Sequence, residues 1–133
     1  MGAERRIRII TDADIVRARQ EGREVASALS FSPSDLTVIA TAISEVARNI
    51  HSYAGHGEIR VGLIERNGRK GVLIVAQDEG PGIYDVDLAM QDGYSTSGSL
   101  GLGLPGVRRL VDEFEIQTAV GKGTAITLRK WVR

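Results

Sequence analysis

Glu45 and Asn49 stand four residues apart in a stretch whose apolar residues recur at steps of three and four. On a helix that spacing puts both side chains on one side, a turn apart. A carboxylate can accept the proton of a hydroxyl, and an amide oxygen can ligate Mg2+, which prefers hard oxygen ligands. The same pair also reads as the solvated outer face of an amphipathic helix. Further on, Asp78-Glu79-Gly80-Pro81-Gly82 follows an apolar run. An acid at a strand end can accept a hydrogen bond from an exocyclic amine such as that of adenine, and Gly80 and Gly82 would let a ligand approach the backbone closely. A plain Gly-Pro-Gly turn is the other reading.

Two more glycine-rich segments follow. Gly101-Leu102-Gly103-Leu104 leads into a helical pattern. Such a turn can hold phosphates through backbone N–H groups and the positive end of the helix dipole, or it can be a simple hinge. It is not a Walker A loop, because no Gly-Lys-[Ser/Thr] follows, and the Rossmann pattern is incomplete. Gly121-Lys122-Gly123-Thr124 reads as a hairpin turn. Thr124 there could offer its hydroxyl to a base or a bound water.

These residues need elements to hold them. Arg6 to Ile10 alternates polar and apolar, a strand. Asp12 or Asp14 can cap a helix running to about Leu29, slightly weakened by Gly22. Ser32 as N-cap, Pro33 at the first helical position and Asp35 as a capping-box acid begin a second helix. Its inner stripe is Leu36, Ile39, Ile43, Val46 and Ile50, and Gly55 and Gly57 end it. Glu58 to Glu65 alternates as a strand, and Asn67-Gly68 signals a tight hairpin into Gly71 to Gln77. That second strand is apolar nearly throughout, from Val72 to Ala76, and should be central and covered on both faces. A helix is expected over Leu104 to Phe114, then a terminal hairpin over Glu115 to Val120 and Thr124 to Trp131. The order β-α-α-β-β-loop-α-β-β implies an α/β two-layer sandwich, its sheet mixed or mainly antiparallel, with helices on one face. The long polar stretch from Asp78 to Gly103 is of a kind that is usually functional. Tyr84 to Leu100 within it, rich in glycine and serine with few apolar anchors, is expected to act as a lid ordered by ligand.

Composition bounds the chemistry. The 133 residues read as one domain with a core of Ile, Val, Leu and Ala, since aromatics are 5%. Seventeen basic residues balance seventeen acidic ones, which disfavours a nucleic-acid module, whose affinity rests on a basic excess. Without cysteine there is no disulfide, thiolate nucleophile or Cys-ligated zinc. No apolar run is long enough to span a bilayer, and no apolar h-region follows the N-terminal arginines, so the expectation is a cytoplasmic protein not associated with membranes.

The four segments occur in the order and context of the N, G1, G2 and G3 boxes of the GHKL (Bergerat-fold) ATPase/kinase superfamily, and the chain resembles that family from Glu45 to Thr124. The resemblance implies ATP and Mg2+ bound between the N-box helix and the sheet. It implies that Asn49 ligates Mg2+ and that Glu45 is the general base. Asp78 would receive the adenine amino group with Thr124 nearby, Gly80 and Gly82 would admit the ring, and Gly101, Leu102, Gly103 and Leu104 would wrap the phosphates.

Within the family, gyrase-like and mismatch-repair ATPases continue into a transducer domain, whereas here about nine residues follow Thr124. Sensor histidine kinases carry a lid Phe, and none lies between Gly82 and Gly101. The chain is similar to the compact bacterial serine/threonine kinases of the anti-sigma-factor type. Arg48 before Asn49, Ser52-Tyr53-Ala54 after it, Asp92 to Gly98, Gly103 to Leu110 and the closing Lys130-Trp131-Val132-Arg133 look most like the stressosome switch kinases among them. That implies serine or threonine acceptors on STAS-domain proteins and, after release, activation of a PP2C-type phosphatase or another output protein. An anti-sigma kinase that sequesters a sigma factor, or a binding module switched by ATP, is the alternative.

Overall fold

A computed structural model of the chain describes residues 4–80 and 103–133. The segment 81–102, with Gly82, Gly101, Leu102 and the expected lid, lies outside the described residues.

Its elements run β1 (Arg5–Ile9), α1 (Asp12–Ala26), α2 (Pro33–Tyr53), β2 (Gly57–Arg66), β3 (Arg69–Asp78), α3 (Gly103–Leu110), β4 (Glu113–Ala119) and β5 (Gly123–Trp131). The five strands form one sheet in the order β1-β2-β3-β5-β4. All four pairings are antiparallel, so the sheet has no mixed part among the described residues. Ile7 and Ile9 of β1, Ile59 and Val61 of β2, Val72 and Ile74 of β3, and Ile126 and Leu128 of β5 share its covered face and are buried. Upon them lie Ile15, Ala18 and Val25 of α1, and Ile39, Ile43, Val46 and Ile50 of α2. Period two in the strands meets steps of three and four in the helices, which is why this pattern closes into two layers.

Local chemistry sets the boundaries. Thr11 is the N-cap of α1, and the Asp14 carboxylate accepts from the backbone N–H of Ile10 at 2.9 Å and of Thr11 at 3.0 Å. At α2 the Ser32 hydroxyl accepts from Asp35 N at 3.0 Å, with Pro33 at the first position. The Asp35 carboxylate does not complete a capping box; it lies 4.0 Å from the buried Lys130 ammonium. In the β2–β3 turn Asn67 and Gly68 both adopt positive φ, 54° and 81°, as a two-residue hairpin turn requires.

Strand ends shift by one to two residues, and three readings are corrected. α1 stops at Ala26 rather than Leu29. α3 stops at Leu110, and Phe114, expected in that helix, pairs with Leu128 in β4. β3 is central but not sealed on both faces, because Leu73 and Val75 are only half-buried.

The sheet's other face carries a polar network near the chain end. Glu113 accepts from the Trp131 indole at 3.0 Å, from Arg66 at 2.7 Å and from Arg129 at 3.4 Å. The Arg66 guanidinium also sits 4.9 Å over the Trp131 ring. The indole N–H, with the two guanidiniums, holds the Glu113 carboxyl below its ordinary value. The backbone N–H groups of Thr11 and Ile10 do the same for Asp14.

A carboxyl whose pKa is depressed on folding contributes stability that is complete above its unfolded value and is lost as pH falls through the folded one. The window therefore opens below the ordinary values of 3.8 for Asp14 and 4.5 for Glu113. Urea midpoints should hold level through mildly acidic pH and fall beneath that window. Asp14→Asn and Glu113→Gln should each be less stable at neutral pH and show a shallower acid decline. An acid decline as steep as the wild type's in both variants would contradict the assignment.

Candidate functional site

The ladder puts four site-end residues in one row across the sheet. Gly57 of β2 pairs with Asp78 of β3, Asp78 with Thr124 of β5, and Thr124 with Thr118 of β4. Asp78 and Thr124 are in phase with the buried Ala76 and Ile126, so both point to the helix-covered face. They are 8% and 6% exposed, low for polar residues at the end of a sheet.

Asp78 is held by one hydrogen bond and by close packing. Its Oδ1 accepts from the backbone N–H of Gly80 at 2.9 Å. No hydrogen bond ties its other oxygen to a described residue, and that atom is not among the sealed polar atoms. One oxygen is thus pinned by the chain and one is an available acceptor. Glycines make this closeness possible. A Cβ on Gly57 would stand 2.4 Å from Gln77 O and 2.8 Å from Ile50 Cγ2, and one on Gly80 would stand 2.5 Å from Ala54 Cβ. One on Gly123, where φ is +86°, would stand 2.1 Å from Asp78 O.

Helix α2 ends over this row, since Ile50 meets Gly57 and Ala54 meets Gly80. Glu45 and Asn49 are both half-buried, neither in the core stripe nor fully solvated. The Glu45 side chain is 11% exposed, and its Oε1 accepts from Arg48 Nη1 at 3.0 Å. Asn49 makes no side-chain hydrogen bond among the described residues, so its amide oxygen is available to a ligand. No cluster of three or more His, Asp or Glu able to hold a metal exists among the described residues. A single amide oxygen suits Mg2+ that arrives with phosphate oxygens and keeps its waters.

Helix α3 packs against α2. Gly103 enters it at φ +68°, and Leu104 is buried in the core. Gly82, Gly101 and Leu102 fall outside the described residues. Of the sequence-assigned residues, the structure brings Asp78, Gly80 and Thr124 together under the end of the helix that carries Glu45 and Asn49. It adds Thr118, Gly57 and Arg48, to which the sequence reading gave no part in the site. A separate cavity of about 570 Å³, lined by Leu29, Arg69, Lys70 and Val132 among others, opens at the opposite end of the sheet and touches none of these residues.

A helix-borne acid and amide thus stand above a strand-end acid. The chain belongs to the histidine kinase-like ATPase domain family, whose profile matches residues 10–130. It is 54% identical over 127 residues, 96% of each chain, to the serine/threonine-protein kinase RsbT of Bacillus subtilis. It is 32% identical over 116 residues, 80% of this chain and 78% of the other, to an anti-sigma F factor of Thermoanaerobacter sp.. Its fold resembles a crystal structure of RsbU and RsbW domains from Mycobacterium tuberculosis, with a TM-score of 0.66 at 22% identity over 99% of this chain; the chain spans a third of that longer protein. A mycobacterial sensor histidine kinase, MprB, shares the fold with a TM-score of 0.59 at 21% identity.

Gly123 and Gly121 separate the site's packing from simple turn geometry. Both have positive φ, but nothing lies within 4 Å of a Cβ built on Gly121. Gly121→Ala should cost about 1 kcal/mol of backbone strain. Gly123→Ala adds a collision with the Asp78 carbonyl and should cost roughly 2–5 kcal/mol. Urea unfolding of the two variants checks this; equal costs would show that Gly123 does not pack against Asp78 as described.

Proposed function

We propose that this chain is an ATP-dependent protein serine/threonine kinase of partner-switching signalling. The observation that carries the reading is Asp78: a buried carboxylate with one oxygen held by Gly80 N and the other free to accept, at a row of close-packed glycines. That is an acceptor built for the amino group of adenine. The 54% identity to a serine/threonine-protein kinase, against 32% to an anti-sigma F factor, supports the kinase of the former type over a sigma-sequestering one.

In this reading Asp78 accepts from the adenine amino group beside Thr124, and Gly80 and Gly82 admit the ring edge. Backbone N–H groups of Gly101, Leu102, Gly103 and Leu104 cradle the phosphates at the start of α3. Asn49 is the residue that would hold Mg2+, through its amide oxygen, and the ion would supply charge neutralisation at the phosphates. Glu45 takes the proton of an incoming serine or threonine hydroxyl. The hydroxyl oxygen bonds to the γ-phosphorus as the bond to the β–γ bridging oxygen breaks, leaving ADP. Arg48, on one carboxylate oxygen of Glu45, orients it so that the other meets the acceptor.

The acceptors are serine or threonine residues on STAS-domain proteins. The released kinase then engages an output protein, such as a PP2C-type phosphatase. A phosphoryl group adds about −1.5 to −2 charges at the contact, next to Glu45, which favours release. Among the described residues no helix is long and apolar enough to cross a membrane, and the net charge is zero; both accord with a cytoplasmic protein that meets other proteins rather than nucleic acid.

Three substitutions divide the roles. Asp78→Asn turns an acceptor partly into a donor and should weaken Mg-ATP at least about tenfold in a folded protein. Asn49→Ala should lose the Mg2+-dependent part of nucleotide affinity. Glu45→Ala should keep binding within about threefold while phosphoryl transfer to a STAS-domain protein drops roughly 10²–10⁴-fold. Calorimetric titration with transfer assays on the same preparations checks all three. Unchanged ATP affinity in folded Asp78→Asn, or equal binding losses in Glu45→Ala and Asn49→Ala, would overturn the assignment.

A further inference from the structure

Thr118 lies on the edge strand β4, opposite Thr124 in the ladder and half-buried. Its Oγ1 is 3.1 Å from the Gly123 carbonyl and 2.9 Å from Thr124 Oγ1. A carbonyl can only accept, so the single hydroxyl hydrogen of Thr118 goes to Gly123 O. Either threonine can donate in the contact between them; with the Thr118 hydrogen on Gly123 O, the donor there is Thr124. With that proton committed to Thr118, what Thr124 presents to the rest of the row is an oxygen that accepts. Its neighbour across β3–β5 is Asp78, whose available oxygen also accepts.

We infer that Thr118 is a positioning residue that sets purine selectivity: through Thr118, Thr124 is held as an acceptor beside Asp78, and the pair prefers a 6-amino over a 6-oxo purine. The inference rests on the adenine reading of Asp78 and deepens it. Two adjacent acceptors match an edge that presents an amino group, directly or through a water that donates to the ring nitrogen. They oppose an edge that presents a carbonyl oxygen, because acceptor would face acceptor. Without the Thr118 hydroxyl the Thr124 hydroxyl can rotate and donate, and hypoxanthine becomes acceptable: its N1–H to Asp78 and its carbonyl to Thr124.

The test is the ratio of Kd values for Mg-ADP and Mg-IDP, measured by calorimetry so that no turnover intervenes. The wild-type protein should favour ADP. Thr118→Val and Thr118→Ala should each narrow the ADP/IDP preference by about tenfold, chiefly by gaining IDP affinity. Thr118→Ser should keep the wild-type ratio. In a Thr124→Val background, removing the Thr118 hydroxyl should change the ratio no further. A merely structural role would weaken both nucleotides alike and leave the ratio unmoved, and that result would overturn the inference. Asp78→Asn separates the two levels. If it loses ADP while Thr118→Val and Thr118→Ala leave the ratio intact, only Thr118's role fails. If it leaves ADP affinity and the ratio unchanged, the adenine reading fails and this inference with it.

Discussion

The pairing of β3 with β2 on one side and β5 on the other decides where Asp78 can be. In an antiparallel ladder a slip of one residue turns every side chain to the opposite face. A slip of β3 would carry Val72 and Ile74 out of the core together with Asp78. Leu73 and Val75 would take their places, so the register rests on the two-residue Asn67–Gly68 turn and on the inward residues of β2 as well as on Val72 and Ile74. The register that seats the hydrophobic core therefore also seats the carboxylate. The same register sets Gly57, Thr124 and Thr118 beside it, so the polar row at the sheet's end is held by apolar residues further along the strands.

Helix α2 joins the two halves of the site in the same way. Ile39, Ile43, Val46 and Ile50 are at most 1% exposed, which fixes the helix against rolling. Glu45 and Asn49 lie off that stripe and are aimed by it. The two groups proposed as base and metal ligand are thus carried on a rigid helix, with Arg48 holding one carboxylate oxygen, and keep their geometry better than the same groups on a loop. The close approach of Ile50 to Gly57 and of Ala54 to Gly80 brings the helix end down on the Asp78 row with no room for another methyl.

Much of this was legible in the sequence, for identifiable reasons. The α2 stripe, the Ser32 cap and the Asn-Gly turn are strong local signals, and each sits where it was read. Asp78 stood out as an acid closing an apolar strand. Phe114 was misread because Leu104, Val107, Leu110 and Val111 keep helical spacing up to the boundary, and a strand that starts immediately afterwards leaves no turn signal. The Asp35 carboxylate was assigned to a capping box, but a buried Lys130 on a distant strand lies within ion-pairing reach of it. Sequence windows do not contain such long-range partners. Thr118 was missed for a related reason. It becomes a neighbour of Thr124 only when the hairpin register pairs Ala119 with Gly123, and a glycine-rich turn of this length is compatible with more than one register. Gly57 looked like a helix terminator, and its tight contact with Asp78 is visible only in the packed sheet.

The central claim is that the strand-end row under α2 is the nucleotide site. It is tested most directly by a crystal structure of the protein with Mg2+ and a non-hydrolysable ATP analogue. The account predicts the adenine amino group within hydrogen-bonding distance of Asp78, the metal on the Asn49 amide oxygen and the phosphates at the start of α3. Nucleotide bound instead in the cavity between Leu29, Arg69, Lys70 and Val132, with Asp78 untouched, would contradict it.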